Sequence, residues 1–100
     1  MKKYIIFRMP SEDDEDYAQH ELISVEYGED IYDATDRLID AICDDLAENP
    51  EYARCNVYAY PPEELSESGK YQYQLSGIVS PPVAEENTVI FYGIQETEAD

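Results

Sequence analysis

Between Glu29 and Glu48 the chain is apolar on a helical period, and no other segment of it reads that way. Ile31, Ala34, Leu38, Ala41, Ile42 and Leu46 return at intervals of three and four residues, which puts them on one side of an α-helix. Asp30 or Glu29 can cap its start, and acids in the first turn suit the helix dipole. Asn49-Pro50 ends it. A lone amphipathic helix has to bury its apolar side against something else in the same chain, and the rest of this chain reads as strands.

KYIIFRM (3–9) alternates, with Ile5, Phe7 and Met9 on one face and Tyr4, Ile6 and Arg8 on the other. ELISVEY (21–27) puts Ile23, Val25 and Tyr27 together and is broken by Gly28. RCNVYAY (54–60), KYQYQLSGIV (70–79) and TVIFYGIQ (88–95) complete the set. In the fourth, Gln72 and Gln74 are expected to face water, and that polar face to lie towards an edge of the sheet. The runs PPEELSESG and SPPVAEEN read as turns. The expected fold is α+β: one amphipathic helix on a mostly antiparallel sheet of four or five strands, in the order β-β-α-β-β-β, or β-α-β-β-β without the 21–27 strand. The strands apolar on both faces, the first and last, belong in the middle. Residues 1–96 form a single domain, and 97–100 are expected to be a frayed acidic tail.

Charge is the second constraint. Six Lys and Arg stand against 24 Asp and Glu, a net charge of −18. Small soluble domains usually carry a magnitude of about 2 to 8, and self-repulsion on this scale works against the compact state. Disorder is the simplest outcome for so acidic a chain, but the aromatic and β-branched runs YIIF, VYAY and TVIFY argue for a folded domain with an acidic surface. Direct nucleic-acid binding is excluded by the shortage of Lys and Arg to neutralise phosphates. No run approaches the ~20 apolar residues of a membrane span. The opening MKKYIIFRMP has too short an apolar run for a signal peptide. A cytoplasmic protein with free Cys43 and Cys55 is expected.

No pattern supports catalysis. His20 stands among acids as a surface histidine. Neither cysteine has a histidine at a motif spacing, no CxxC pair exists, and the glycines form no phosphate loop. The acidic run Glu12, Asp13, Asp14, Glu15, Asp16 offers oxygen ligands to a hard cation but lacks the order of an EF-hand loop. Adjacent pairs such as Asp44-Asp45 do not converge on one substrate. No enzyme activity, metal or cofactor is expected.

Acids do recur along the helix away from its apolar side, at Glu29, Asp33, Asp36, Asp40, Asp44 and Glu48, interrupted by Arg37. Like charges at these spacings destabilise a helix, and Asp is a poor helix former. Asp44, Asp45 and Glu48 also lie in the last turns, where the dipole disfavours them. A solvated face normally mixes signs. Solvation or salt adaptation is one account of the stripe, and a surface for a basic partner is the other.

In its size, its −18 charge, the stripe Asp33/Asp36/Asp40/Asp44 and its lack of a catalytic motif, the chain resembles the small acidic inhibitors of phages and mobile elements. These mimic DNA, and include many anti-CRISPR and anti-restriction proteins. The resemblance implies a stoichiometric inhibitor, monomer or homodimer, in the host cytoplasm. It would occupy the basic nucleic-acid groove of a CRISPR effector or restriction enzyme. Its contacts would be Asp33, Asp36, Asp40 and Asp44, joined by Asp13, Asp14, Glu15 and Asp16. An acidic immunity protein for a nuclease toxin is similar in physics, and an adaptor binding through its Tyr-rich sheet is the other alternative.

Overall fold

A computed structural model describes residues 1–9, 20–65, 70–83 and 86–99. The Asp13–Asp16 part of the expected interface lies outside them. The fold is α+β, with one helix on a fully antiparallel six-stranded sheet. Strands β1 (Lys2–Met9) and β2 (Glu21–Gly28) are followed by helix α1 (Ile31–Glu48). A 3-10 turn (Pro50–Tyr52) then leads to β3 (Asn56–Ala59), the short β4 (Glu63–Glu64), β5 (Tyr73–Ser80) and β6 (Thr88–Glu98). The spatial order is β2-β1-β6-β5-β3, with β4 also pairing β5.

The pleat explains the core. Tyr4 and Ile6 of β1, Leu75 and Val79 of β5, and Tyr92 and Ile94 of β6 point to one face and are fully or almost fully buried there. Against them lie Ile31, Ala34, Leu38, Ile42 and Leu46, which share one side of α1. The helical and two-residue periods thus meet in a single apolar layer. At the N-terminal end the fit depends on Gly28, since a Cβ there would come within 2.9 Å of the Ala34 Cβ. This glycine lets the first turns of α1 lie close against the end of β2.

Four details depart from the sequence reading. In β2, the pairing shifts from Ile6↔Ser24 to Phe7↔Leu22, leaving Ile23 as an extra residue in a bulge. Ile23 packs against the helix-side core, whereas Val25, opposite Ile5, lies on the other face. The expected common face of Ile23, Val25 and Tyr27 is therefore broken. Secondly, β5 is an interior strand and Gln74 is buried. It lies opposite Gly93, on the face that Tyr71 covers. Gln72 does not simply face water either, because its Oε1 accepts a hydrogen bond from the Glu96 N–H at 2.7 Å. Thirdly, Glu63–Glu64, inside an expected turn, pairs with Gln74 and Tyr73. Finally, the acidic tail is not frayed through Glu98. Thr97 and Glu98 pair with Lys3 and Lys2, the Lys2 and Glu98 side chains form an ion pair, and the Ala99 N–H donates to the Met1 carbonyl. Opposite charges at the N-terminus hold these residues in the ladder.

On the far side of the sheet, Tyr71 packs over Gly93 beside Phe7, with ring centroids 5.5 Å apart. Lys70 Nζ sits 4.1 Å above the Phe7 ring, and half-buried His20 stacks on Tyr71. A Cβ at Gly93 would fall inside the space of the Tyr71 ring. Gly93→Ala is therefore expected to displace Tyr71 and cost about 1 to 3 kcal/mol, the usual range for overpacking. Urea denaturation measures it, and an unchanged midpoint would show that the ring is not seated there.

Candidate interface on the helix and the edge strand

The acids of α1 separate into those that build the fold and those that do not. Asp30 caps the helix, its side chain accepting from the Asp33 N–H at 2.8 Å. Asp33 reaches back to accept from the Glu29 N–H at 2.9 Å and also takes the Arg37 guanidinium at 3.0 Å. The first bond satisfies a donor that the helix start leaves orphaned, and the second ties the residue before the cap to the first turn. The Glu29 N–H first, and then Arg37, hold the Asp33 carboxyl below the usual carboxylate range. Asp33 thus has a structural role that the stripe alone does not convey.

Asp45 is the second structural acid, and its role was missed from sequence. It is largely shielded, with a side chain 13% exposed. Arg8 on β1 grips both of its oxygens, Nη2 to Oδ1 at 2.5 Å and Nε to Oδ2 at 3.2 Å. The Tyr92 hydroxyl donates to Oδ2 at 2.8 Å. The helix dipole disfavours an acid in the last turns, but at Asp45 a fixed cation outweighs it. The same contact anchors the C-terminal half of α1 to the sheet. Burial is the main cause that pushes the Tyr92 hydroxyl well above its ordinary value, with Asp45 next. Asp45→Asn is expected to lower stability by about 2 kcal/mol, since it removes a charged acceptor from two donors. The charge partner Arg8 is itself more than a third exposed, which keeps the loss below that of a fully buried pair. Thermal unfolding checks this, and a neutral result would make the contact incidental.

Asp36, Asp40 and Asp44 are different. All three are exposed. The ion pairs of the described residues use Glu98, Glu21, Asp45 and Asp33, and none of these three. Their charge has a local consequence. Burial first, and then Asp40 and Asp44, push the Cys43 thiol up, which disfavours the reactive thiolate. Both cysteines are free and half-buried, and Cys55 packs against the core.

The stripe is also not a single flat row. Asp40 and Asp44 turn towards β2, where helix and edge strand enclose an open groove of about 530 Å³. Ala34 lies over the end of β2 and Arg8, paired with Asp45, lies opposite its start, so α1 runs back along the strand. Positions 37, 40, 41, 44, 45 and 48 consequently face the groove turn after turn. Its carboxylates are Glu21, Glu26, Asp40, Asp44, Asp45 and Glu48, against the guanidinium of Arg37. Glu21, half of it in an ion pair with Arg8, and Glu26, bonded by the Ser24 hydroxyl at 2.7 Å, were not singled out from sequence. Asp33 and Asp36 do not line the groove. Asp33 is tied to the helix start, and Asp36 belongs to the outer side of the stripe. The structure therefore keeps Asp40 and Asp44 in both surfaces and divides the remainder.

Among the described residues, no group of three or more His, Cys, Asp or Glu is arranged to hold a metal ion, and no helix is long and apolar enough to cross a membrane. Comparison with protein-family models, with curated proteins and with solved structures finds no match.

Proposed function

We propose that the protein is a stoichiometric, non-catalytic inhibitor that fills the Lys/Arg-lined nucleic-acid groove of a defence enzyme, such as a CRISPR effector or a restriction enzyme, from the cytoplasm of the host. One observation carries the reading. Where the fold needs an acid on α1, it supplies the acid with donors, as at Asp33 and Asp45. Among the described residues, none donates to Asp36, Asp40 or Asp44, which stand exposed beside one another at a cost in like-charge repulsion. Residues four apart on a helix are about 6 Å apart along its axis. Such a row is a sparse but rigid counterpart of a phosphate backbone, whose charges recur every ~3.4 Å along a strand. Complementary potential would steer it into a basic groove.

The test is a titration of the purified protein into DNA-cleavage assays of candidate CRISPR effectors and restriction enzymes. The expected result is full inhibition near one equivalent when the protein is added before DNA, weakening as salt rises. Absence of inhibition in enzymes that the protein physically binds would overturn the reading. A second reading, an adaptor that binds through tyrosines, draws on the exposed Tyr58–Tyr60 pair, whose rings meet edge to face at 6.0 Å. Partner binding indifferent to salt would favour it.

A further inference from the structure

Strand β2 ends the sheet, and among the described residues it pairs with β1 alone. Its outer edge opens onto the acidic groove. Arg37 Nε donates to the Tyr27 carbonyl at 2.8 Å, so that carbonyl is turned away from β1. In an antiparallel ladder, alternate residues turn both backbone groups the same way. Val25, two residues earlier and clear of the bulge at Ile23, therefore presents its N–H and C=O outwards as well. An exposed edge of this kind is a template for another strand. Edges in monomeric proteins are blunted by lysine, by bulges or by a cover; β2 carries no lysine, and between its bulge at Ile23 and the Tyr27 carbonyl held by Arg37 the outward N–H and C=O of Val25 are left for a partner strand.

We propose that the basic partner inferred above docks here by strand addition. An extended segment pairs with the outer edge of β2, and its alternate Lys or Arg side chains enter the groove against Glu26, Asp40 and Asp44. This rests on the reading that the partner is basic and adds how it is held. A strand added to β2 would lie about 4.8 Å from it, along the flank of α1. Its backbone supplies affinity, and the side chains on one face supply selectivity. Charge decides the occupant. A second copy of this chain would bring net −18 and the acids Glu21 and Glu26 to the same edge. A neutral segment would cover the groove's carboxylates without pairing them, which costs free energy. A segment with cations on one face satisfies both the edge and the groove.

Synthetic peptides test the proposal without knowledge of the natural partner. The parent probe is a capped peptide of alternating lysine and threonine, as long as β2. Two companions carry N-methyl groups, one on all its lysine amides and the other on all its threonine amides, with charge unchanged. Strand addition uses one set of amides only. Calorimetric titration at low salt is expected to show the parent binding, one companion weakened about tenfold or more, and the other near the parent. In the bound protein the Val25 amide should become protected from hydrogen exchange. If both companions match the parent and Val25 gains no protection, strand addition is overturned, while attraction of cations to the acidic face stands. If the parent does not bind at low salt, the inference fails, and inhibition of DNA cleavage then decides the functional reading separately.

Discussion

Leu38→Ala is expected to lower the unfolding free energy by about 2 to 5 kcal/mol, towards the upper end of that range. Leu38 is completely buried near the middle of α1, in the same core cluster as Tyr4, Ile6, Tyr92 and Ile94. Truncation removes the transfer free energy of the lost atoms and leaves a cavity. The surrounding layer is fixed from both sides, by the sheet ladder and by the Arg8–Asp45 contact that holds α1 against it, so collapse into the cavity is limited. For a domain of this size each kcal/mol corresponds to about 4 to 8 °C in melting temperature. The loss is therefore large enough to show clearly in a thermal scan. A change below 1 kcal/mol would mean that the apolar side of the helix does not rest on this sheet.

The second large effect is expected on binding. Asp40→Asn with Asp44→Asn removes two charges while preserving shape. Both residues belong to the exposed stripe and also to the groove beside β2, so on the function proposed above they would contribute whichever of the two surfaces a partner covers. A carboxylate desolvated against Lys or Arg is worth roughly 2 kcal/mol when it is neutralised, and two together would reduce affinity about a thousandfold if they act independently. Asp33 is a poorer probe of the same idea. Its substitution also disturbs the helix start and takes away Arg37's carboxylate partner, so a loss of binding there would mix two causes. Surface plasmon resonance against an inhibited enzyme separates the effect further, because loss of steering slows association and its size depends on salt. Unchanged affinity for the double variant would remove these residues from the interface.

The parts of this account that were legible in the sequence are those governed by periodicity. The spacing of Ile31, Leu38, Ile42 and Leu46 determines the buried side of α1, and Tyr4/Ile6 against Ile5/Phe7 determines the two faces of β1. The α+β class and the element order follow from the same patterns. What the sequence concealed depends on contacts between distant residues. Nothing near Asp45 announces that Arg8 and Tyr92 will converge on it. The bulge at Ile23 leaves no clear mark in an alternating run, yet it moves one apolar side chain into the core. Gln74 is polar by type and buried by position, because Tyr71 folds back over Gly93 next to it. The groove was partly within reach. Positions 37, 41, 44 and 48 follow a helical spacing along the flank of α1, but their meeting with Glu21 and Glu26 requires the helix to run back along β2. That path is set by Gly28 at one end and Arg8–Asp45 at the other.

On the function proposed above, Asp36, Asp40 and Asp44 are kept for a partner and not for the fold. The inhibition constant of a variant with asparagine at all three positions, determined at low salt alongside its melting temperature, decides between the two. They are expected to move in opposite directions: the free protein melts at or above the wild-type temperature because like-charge repulsion is relieved, while inhibition weakens by orders of magnitude. A variant that melts lower and inhibits as well as the wild type would show that these acids serve the fold and not a partner.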